Sequence, residues 1–251
     1  MSKDPLIVYW SPYSSADVKE LGEWNLMYPD PVNLFDELIK RRTADAKDRS
    51  PWSYLSCPAA AKRLKNTYVF KSSMSCRYYY DFTDPNNPII QPQTEQYYQF
   101  EVRRKPVLED GPVITLLIQH LFFSEESVEP LFGPPTMYRP EYQNYGTSIP
   151  GSFNVSKWFR PHVFEIQLWN KRGYFEIKEG EPLFAVEFTE NRDIELKRFV
   201  CNNNLISYAN SCVQSTKMFG SFLPLVKKYD QFKKSQMDKL ILKEIKNNLV
   251  D

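Results

Sequence analysis

The stretch YGTSIPGSFNVSKWFRPHVFEIQLWNKRGYFEIKEGEPLFAVEF, Tyr145 to Phe188, decides the fold class. Phe164, Ile166 and Leu168 alternate with Glu165, Gln167 and Trp169. That period of two puts one set of side chains on a buried sheet face and the other outside. Phe175 and Ile177 repeat the pattern after Asn170-Lys171-Arg172-Gly173, as do Phe184, Val186 and Phe188 after Lys178-Glu179-Gly180-Glu181-Pro182. Both interruptions are short, polar and glycine-containing, which predicts two tight reversals, Gly173 at a positive backbone dihedral, and an antiparallel three-strand meander with one apolar face to bury. Upstream, Ile149-Pro150-Gly151 reads as a type II turn, because proline presets its own φ and glycine takes the left-handed one. Ser152 to Arg160 leads from that turn into the sheet.

Outward from this stretch, Arg77 to Phe82 alternates with Tyr78, Tyr80 and Phe82 on one face, and Thr67 to Lys71 reads as its strand partner. Gln96 to Arg104 places Tyr98, Phe100 and Val102 inward. Gly111 to Phe123 is apolar on both faces, as befits a central strand covered from two sides. Leu6 to Trp10 reads as a first strand ended by Ser11-Pro12-Tyr13-Ser14, and Ile194 to Phe199 as a last one. Helical spacing appears at Asn33 to about Lys47, with Leu34, Phe35, Leu38 and Ile39 in register, and after Pro58, whose missing amide proton costs nothing in a first turn. It returns at Asn204 to Thr216 and at Asp230 to Leu249, where Phe232, Met237, Leu240, Ile241, Ile245 and Leu249 form a stripe. Asp17 to Met27 fits neither period cleanly. Glu129 to Tyr145 is a proline-stiffened connection lying over the core or lining a cleft.

The fold expected is mainly β, of α+β class: an antiparallel β-sandwich, or a β-clip or jelly-roll-like core, with peripheral helices that include a C-terminal amphipathic one. Residues 1–200 form the β domain, with a helical insertion at about 33–65. Residues 201–251 are a helical extension packed on that domain or on a partner subunit.

Composition narrows function more than it names it. The 19 prolines and 8 glycines suit strands joined by stiff connections. With 32 basic and 31 acidic residues the chain has no global field to gather nucleic acid or an anionic membrane. It has no apolar run long enough for a span and no secretory leader pattern, so a cytoplasmic location is expected. Cys57, Cys76, Cys201 and Cys212 lack zinc or thioredoxin spacing and read as reduced, packed thiols. The chain has two histidines, His120 and His162, and neither begins a metal or hydrolytic motif. No phosphate loop or dinucleotide fingerprint occurs, and no cofactor or metal is expected. The richest cluster is Lys157-Trp158-Phe159-Arg160-Pro161-His162, followed by Trp169, with Arg103 as a second basic group. Aromatic faces beside guanidinium groups suit nucleobases, phosphates or carboxylates. Lys157, Trp158, Arg160, His162, Trp169 and Arg103 are therefore the candidate ligand-binding residues. Core or interface packing of Trp158 and Phe159, with Arg160 paired to a surface acid, is the simpler account of the same residues.

The segments SYLSCPA (Ser53 to Ala59), KNTYVF (Lys65 to Phe70), IPGSFNVSKWFRP and FEIKEGEPLFAVEF resemble proteins of tailed phages, of marine and T4-like types, grouped as a domain of unknown function. The resemblance covers about Leu34 to Phe199 and implies a phage accessory protein acting in the host cytoplasm, without implying an activity. The run FEIQLWN, YFEIK, EG, PLFAVEF is also similar to the closing segment of the β-clip fold of deoxyuridine triphosphatases and deoxycytidine triphosphate deaminases. Their glycine-rich tyrosine motif is missing here, so that likeness implies shape and oligomerisation and does not carry their reaction. The function expected is non-catalytic binding of a small ligand, for instance sequestration of a host nucleotide signal, or of a host factor, by a homo-oligomer. An enzyme acting on nucleotides or sugars through carboxylates and arginines is the alternative, and a minor virion or assembly protein a further one.

Overall fold

The computed structural model describes residues 4–13, 28–44, 54–84, 86–103, 111–218 and 224–250. The stretch Asp17 to Met27 lies outside them. The architecture is α+β and mainly strand: two sheets face each other, a third closes one end, and helices cover the outer sides. The first sheet has the order β14 (Ile194–Arg198), β1 (Leu6–Tyr13), β7 (Val113–Phe123), β11 (His162–Leu168), β9 (Gly146–Ser148). β6 (Phe100–Arg103) pairs with the first part of β7, Val113 to Leu116, while β1 pairs with the last part, Gln119 to Phe123. This double use of one edge explains why β7 runs to 11 residues. β1 continues through Ser11, Pro12 and Tyr13, past the expected stop. Pro12 is tolerated because β1's pairing with β14 ends at Trp10, so its missing N–H faces the side where no ladder bond is required.

The second sheet is ordered β10 (Gly151–Ser152), β8 (Leu131–Gly133), β13 (Pro182–Glu187), β3 (Thr67–Lys71), β2 (Val32–Asn33), and the third β12 (Arg172–Ile177), β4 (Cys76–Asp81), β5 (Ile89–Pro92). The expected strands are present, but the expected meander is not. β11, β12 and β13 lie in three different sheets, and β3 does not pair with β4. Instead β3 pairs with β13 from Thr67↔Glu187 to Lys71↔Pro182, and β4 continues the same antiparallel ribbon with β12, from Cys76↔Ile177 to Asp81↔Arg172. Two stretches that each resemble a hairpin thus zip to one another across the chain. Directly opposed aromatics fasten the ribbon: Phe70 stacks on Phe184 at 4.8 Å and Tyr78 on Phe175 at 4.6 Å.

The ribbon bends between the second and third sheets at Ser72 and at Lys178 to Glu181. There Ser72 N–H donates to Glu181 O at 2.8 Å and Gly180 N–H to Ser72 O at 2.9 Å. Gly180 has φ +76° and Glu181 N–H donates to Lys178 O at 3.1 Å, so glycine supplies the left-handed position of this turn. Gly173 sits at φ 159°, near extended, because the chain there passes from one sheet to another rather than reversing. Gly151 takes no positive φ, and the segment after β9 crosses to the second sheet instead of forming the predicted type II turn.

The layer between the two facing sheets is aromatic, with Trp10 against Phe70 at 5.5 Å, Phe122 against Phe132 at 5.2 Å and Phe164 near Phe184 at 6.2 Å. Helices α1 (Leu34–Ala44) and α2 (Pro58–Lys65) cover the outer face of the second sheet, where Leu34, Leu64, Val69 and Ala185 form a small separate cluster. Beyond the first sheet lie α3 (Asn203–Met218), α4 (Leu225–Lys234) and α5 (Met237–Asn247), whose Leu205, Ala209, Phe232, Ile241 and Ile245 join the main core. β7 is accordingly buried on both faces.

Candidate functional site

The two histidines lie side by side. His162 is the cross-strand partner of His120, so both rings occupy the inner face of the first sheet. His120 is enclosed by Phe70 at 4.9 Å, Phe184 at 5.4 Å, Tyr28 at 5.6 Å and Trp10 at 6.3 Å. His162 stacks on Phe132 at 4.2 Å and meets Phe184 at 4.9 Å. Burial pushes both imidazoles down to about 3, with His162 and Arg198 adding to the effect on His120 and Arg160 to that on His162. Both are neutral at pH 7, and the buried Nδ1 of each has no hydrogen-bond partner.

The sequence-derived candidates with described side chains are divided among the core, the inter-sheet layer and the surface. Trp158 is buried, 6.0 Å from Phe232, and belongs to the core. His162 lies in the inter-sheet layer. Arg160 is exposed and places its guanidinium 5.2 Å over the ring of Phe153. Lys157 is partly exposed in a turn where its N–H donates to Asn154 O at 3.2 Å. Trp169 is 46% exposed beyond the far end of β11 from His162, with Nε1 3.4 Å from Gln143 O. At about 3.3 Å per residue, the seven residues of β11 keep Trp169 on the order of 20 Å from His162. Arg103 ends β6, and its side chain lies outside the described residues.

A site that sequence patterning did not indicate opens where the two sheets present neighbouring edges. A groove of about 730 Å³ lies between β14 and the Asp30 to Asp36 segment, with Tyr68 of β3 and the tail residues Leu249 and Val250 at its ends. Trp10 reaches it from the aromatic layer, 6.3 Å from His120. Arg198 stacks 5.0 Å over Trp10 and pairs with Asp30 at 2.8 Å, forming the boundary between the dry layer and water. Asp30, Asp36 and Glu195 bring negative charge, Lys197 and Arg198 positive, and Glu195 pairs loosely with Lys197 at 3.6 Å. The Tyr68 hydroxyl is held above its ordinary range, first by burial and then by Asp36, Glu195 and Asp193. The floor beside Tyr68 is therefore electronegative.

The backbone of β14 contributes as well. Parallel pairing of Leu6, Val8 and Trp10 with Ile194, Leu196 and Arg198 spends the N–H and C=O groups of Glu195 and Lys197 on β1. Those of Ile194, Leu196 and Arg198 face the groove. Ile194 is satisfied, its N–H donating to Asn66 Oδ1 at 3.2 Å and its C=O accepting from Tyr68 Oη at 2.6 Å. Arg198 O accepts from Val250 N at 3.0 Å. Between these two caps, the N–H and C=O of Leu196 take no partner among the described residues. The one sequence signal for this place was the charge on Glu195, Lys197 and Arg198, a common mark of an edge strand.

No family model, curated protein or solved structure matches this chain. The phage and β-clip resemblances rest on the quoted residues alone.

Proposed function

We propose that the chain is a phage accessory protein that binds a small polar ligand without transforming it, and that the groove between β14 and the Asp30 to Asp36 segment is where it does so. The observation that carries this reading is the groove itself: about 730 Å³, within the ~300–1,000 Å³ of small-molecule sites, with an aromatic inner wall and a few polar groups converging on it. Its charges are mixed, which suits a ligand with several donors and acceptors. The state of the histidines points the same way. Both are neutral and packed among aromatic rings with no carboxylate partner among the described residues, an arrangement that suits packing better than proton transfer. The phage context rests on the sequence resemblance.

The test is to incubate purified protein with a metabolite extract, re-isolate it and identify what is released on denaturation by mass spectrometry. A single compound recovered intact, and lost in a Tyr68→Ala/Asp36→Ala double variant, is the expected outcome. Recovery of a chemically altered product would move the protein into the enzyme class, with Asp30, Asp36 and Glu195 as the carboxylates to examine. Recovery unaffected by the double variant would remove the groove as the site.

A further inference from the structure

We propose that the unpaired N–H and C=O of Leu196 read the donor–acceptor edge of a nucleobase, and that the groove takes the ligand as a nucleoside rather than as a phosphorylated nucleotide. This rests on the groove being the binding site. An edge strand normally offers a row of open groups, and a row recruits another strand. Here the row is interrupted on both sides, by Tyr68 at the Ile194 C=O and by Val250 at the Arg198 C=O, so Leu196 keeps both its donor and its acceptor open among the described residues. A second strand lying opposite Leu196 would have to pass through the places of Val250 and the Tyr68 hydroxyl. A compact planar group needs only the gap between them. Every common nucleobase carries a donor and an acceptor side by side on its pairing edge, and that pair complements one N–H and one C=O aimed the same way.

The surrounding charges select the rest of the molecule. Asp36 and Glu195 line the same groove, and carboxylates are the usual acceptors for ribose hydroxyls. The three lining carboxylates outnumber the two cations, and both cations are already engaged, Arg198 by Trp10 and Asp30 and Lys197 by Glu195, so a phosphate meets net negative charge. A nucleoside satisfies both requirements and a nucleoside triphosphate fails the second.

The experiment titrates the full chain with adenosine, guanosine, cytidine, uridine and their 5′-triphosphates by calorimetry, and follows the Leu196 amide by hydrogen exchange with and without the tightest of them. At least one nucleoside is expected to bind, with its triphosphate at least tenfold weaker. The Leu196 amide should exchange freely in the unliganded protein and become protected on binding. Leu196→Pro deletes the donor at an edge position where proline needs no ladder bond, and should weaken binding at least tenfold, while Leu196→Ala, which keeps the donor, should bind within about threefold of the parent. If Leu196→Pro fails to fold, the exchange measurement on the parent decides. Triphosphates binding as well as nucleosides would overturn the selectivity. A Leu196 amide that is protected without ligand, or unchanged with it, would overturn the backbone reading while leaving the groove intact, provided binding still fails in Tyr68→Ala/Asp36→Ala. Absence of binding by all eight compounds overturns this inference alone, because the metabolite-extract experiment tests the groove independently.

Discussion

The aromatic layer around His120 and His162 and the groove along β14 lie between the same two sheets and share Trp10, yet they handle polar groups in opposite ways. In the layer, two imidazoles are kept neutral among phenyl rings, each with a buried nitrogen left unsatisfied. In the groove, carboxylates and cations remain wet, Arg198 covers Trp10, and one backbone residue stays open. Packing density governs the first region, because stacked rings leave no room for solvent or for charge. The edge of a sheet governs the second, because backbone groups there are exposed unless something caps them.

The largest effect expected from attacking this contrast is on the layer. Phe184 touches both histidines, Phe70 and Phe164. Phe184→Ala should cost about 3–5 kcal/mol in urea denaturation, and a loss under ~1 kcal/mol would mean that the layer is loosely packed. Acid comes next. His120 titrates at about 3 in the folded chain against 6.5 for an unhindered imidazole, so it binds its proton less readily folded than unfolded. Its contribution is fully present above pH 6.5 and is lost as pH falls toward 3, at up to ~1.4 kcal/mol per pH unit. His162, also pushed down to about 3 by burial, acts in the same direction. Relative to the parent, His120→Phe should be within ~1 kcal/mol at pH 7 and a few kcal/mol more stable near pH 4. Parallel pH–stability curves for parent and variant would break the assignment.

The groove should respond more mildly. Arg198→Ala removes a cation–π contact and a pair to the largely exposed Asp30, together worth about 1 kcal/mol of stability. Its sharper signature is increased quenching of Trp10 fluorescence by acrylamide, since the guanidinium covers the indole. Unchanged quenching would show that Arg198 is no barrier. The smallest effect belongs to Trp169→Ala, within ~0.5 kcal/mol, because the indole is half exposed beyond the end of β11. A larger loss would place Trp169 in a contact yet to be found.

Much of the fold was legible in the residues. Period-two alternation located β11, β12 and β13 and named their buried faces, since Phe164, Ile166, Phe175, Ile177, Phe184 and Val186 are all interior. The two-sided apolarity of Gly111 to Phe123 identified β7 as central. The candidate site was far less legible. Trp158 and His162 attract notice as aromatic neighbours of Arg160, but side-chain chemistry alone does not say which face of the chain turns inward, and both turn in. The open residue of the groove is a leucine whose side chain carries no signal, because what matters there is its main chain.

The sequence by itself determined the mainly β class and the longer strands, because those follow from local periodicity. The short strands β2, β5, β8, β9 and β10 carry too few residues to show a period, and the helix expected over Asp230 to Leu249 is broken at Gln236, at φ 55°, into α4 and α5, with Leu240 and Leu249 exposed. Only the tertiary structure decided that β3 and β4 zip onto β13 and β12, that the two histidines meet across β7 and β11, and that Leu196 is left between two caps. A bend signal records that the chain turns without recording which strand receives it. Pairing is settled by long-range contacts such as Phe70 on Phe184 and Tyr78 on Phe175, whose members are more than ninety residues apart.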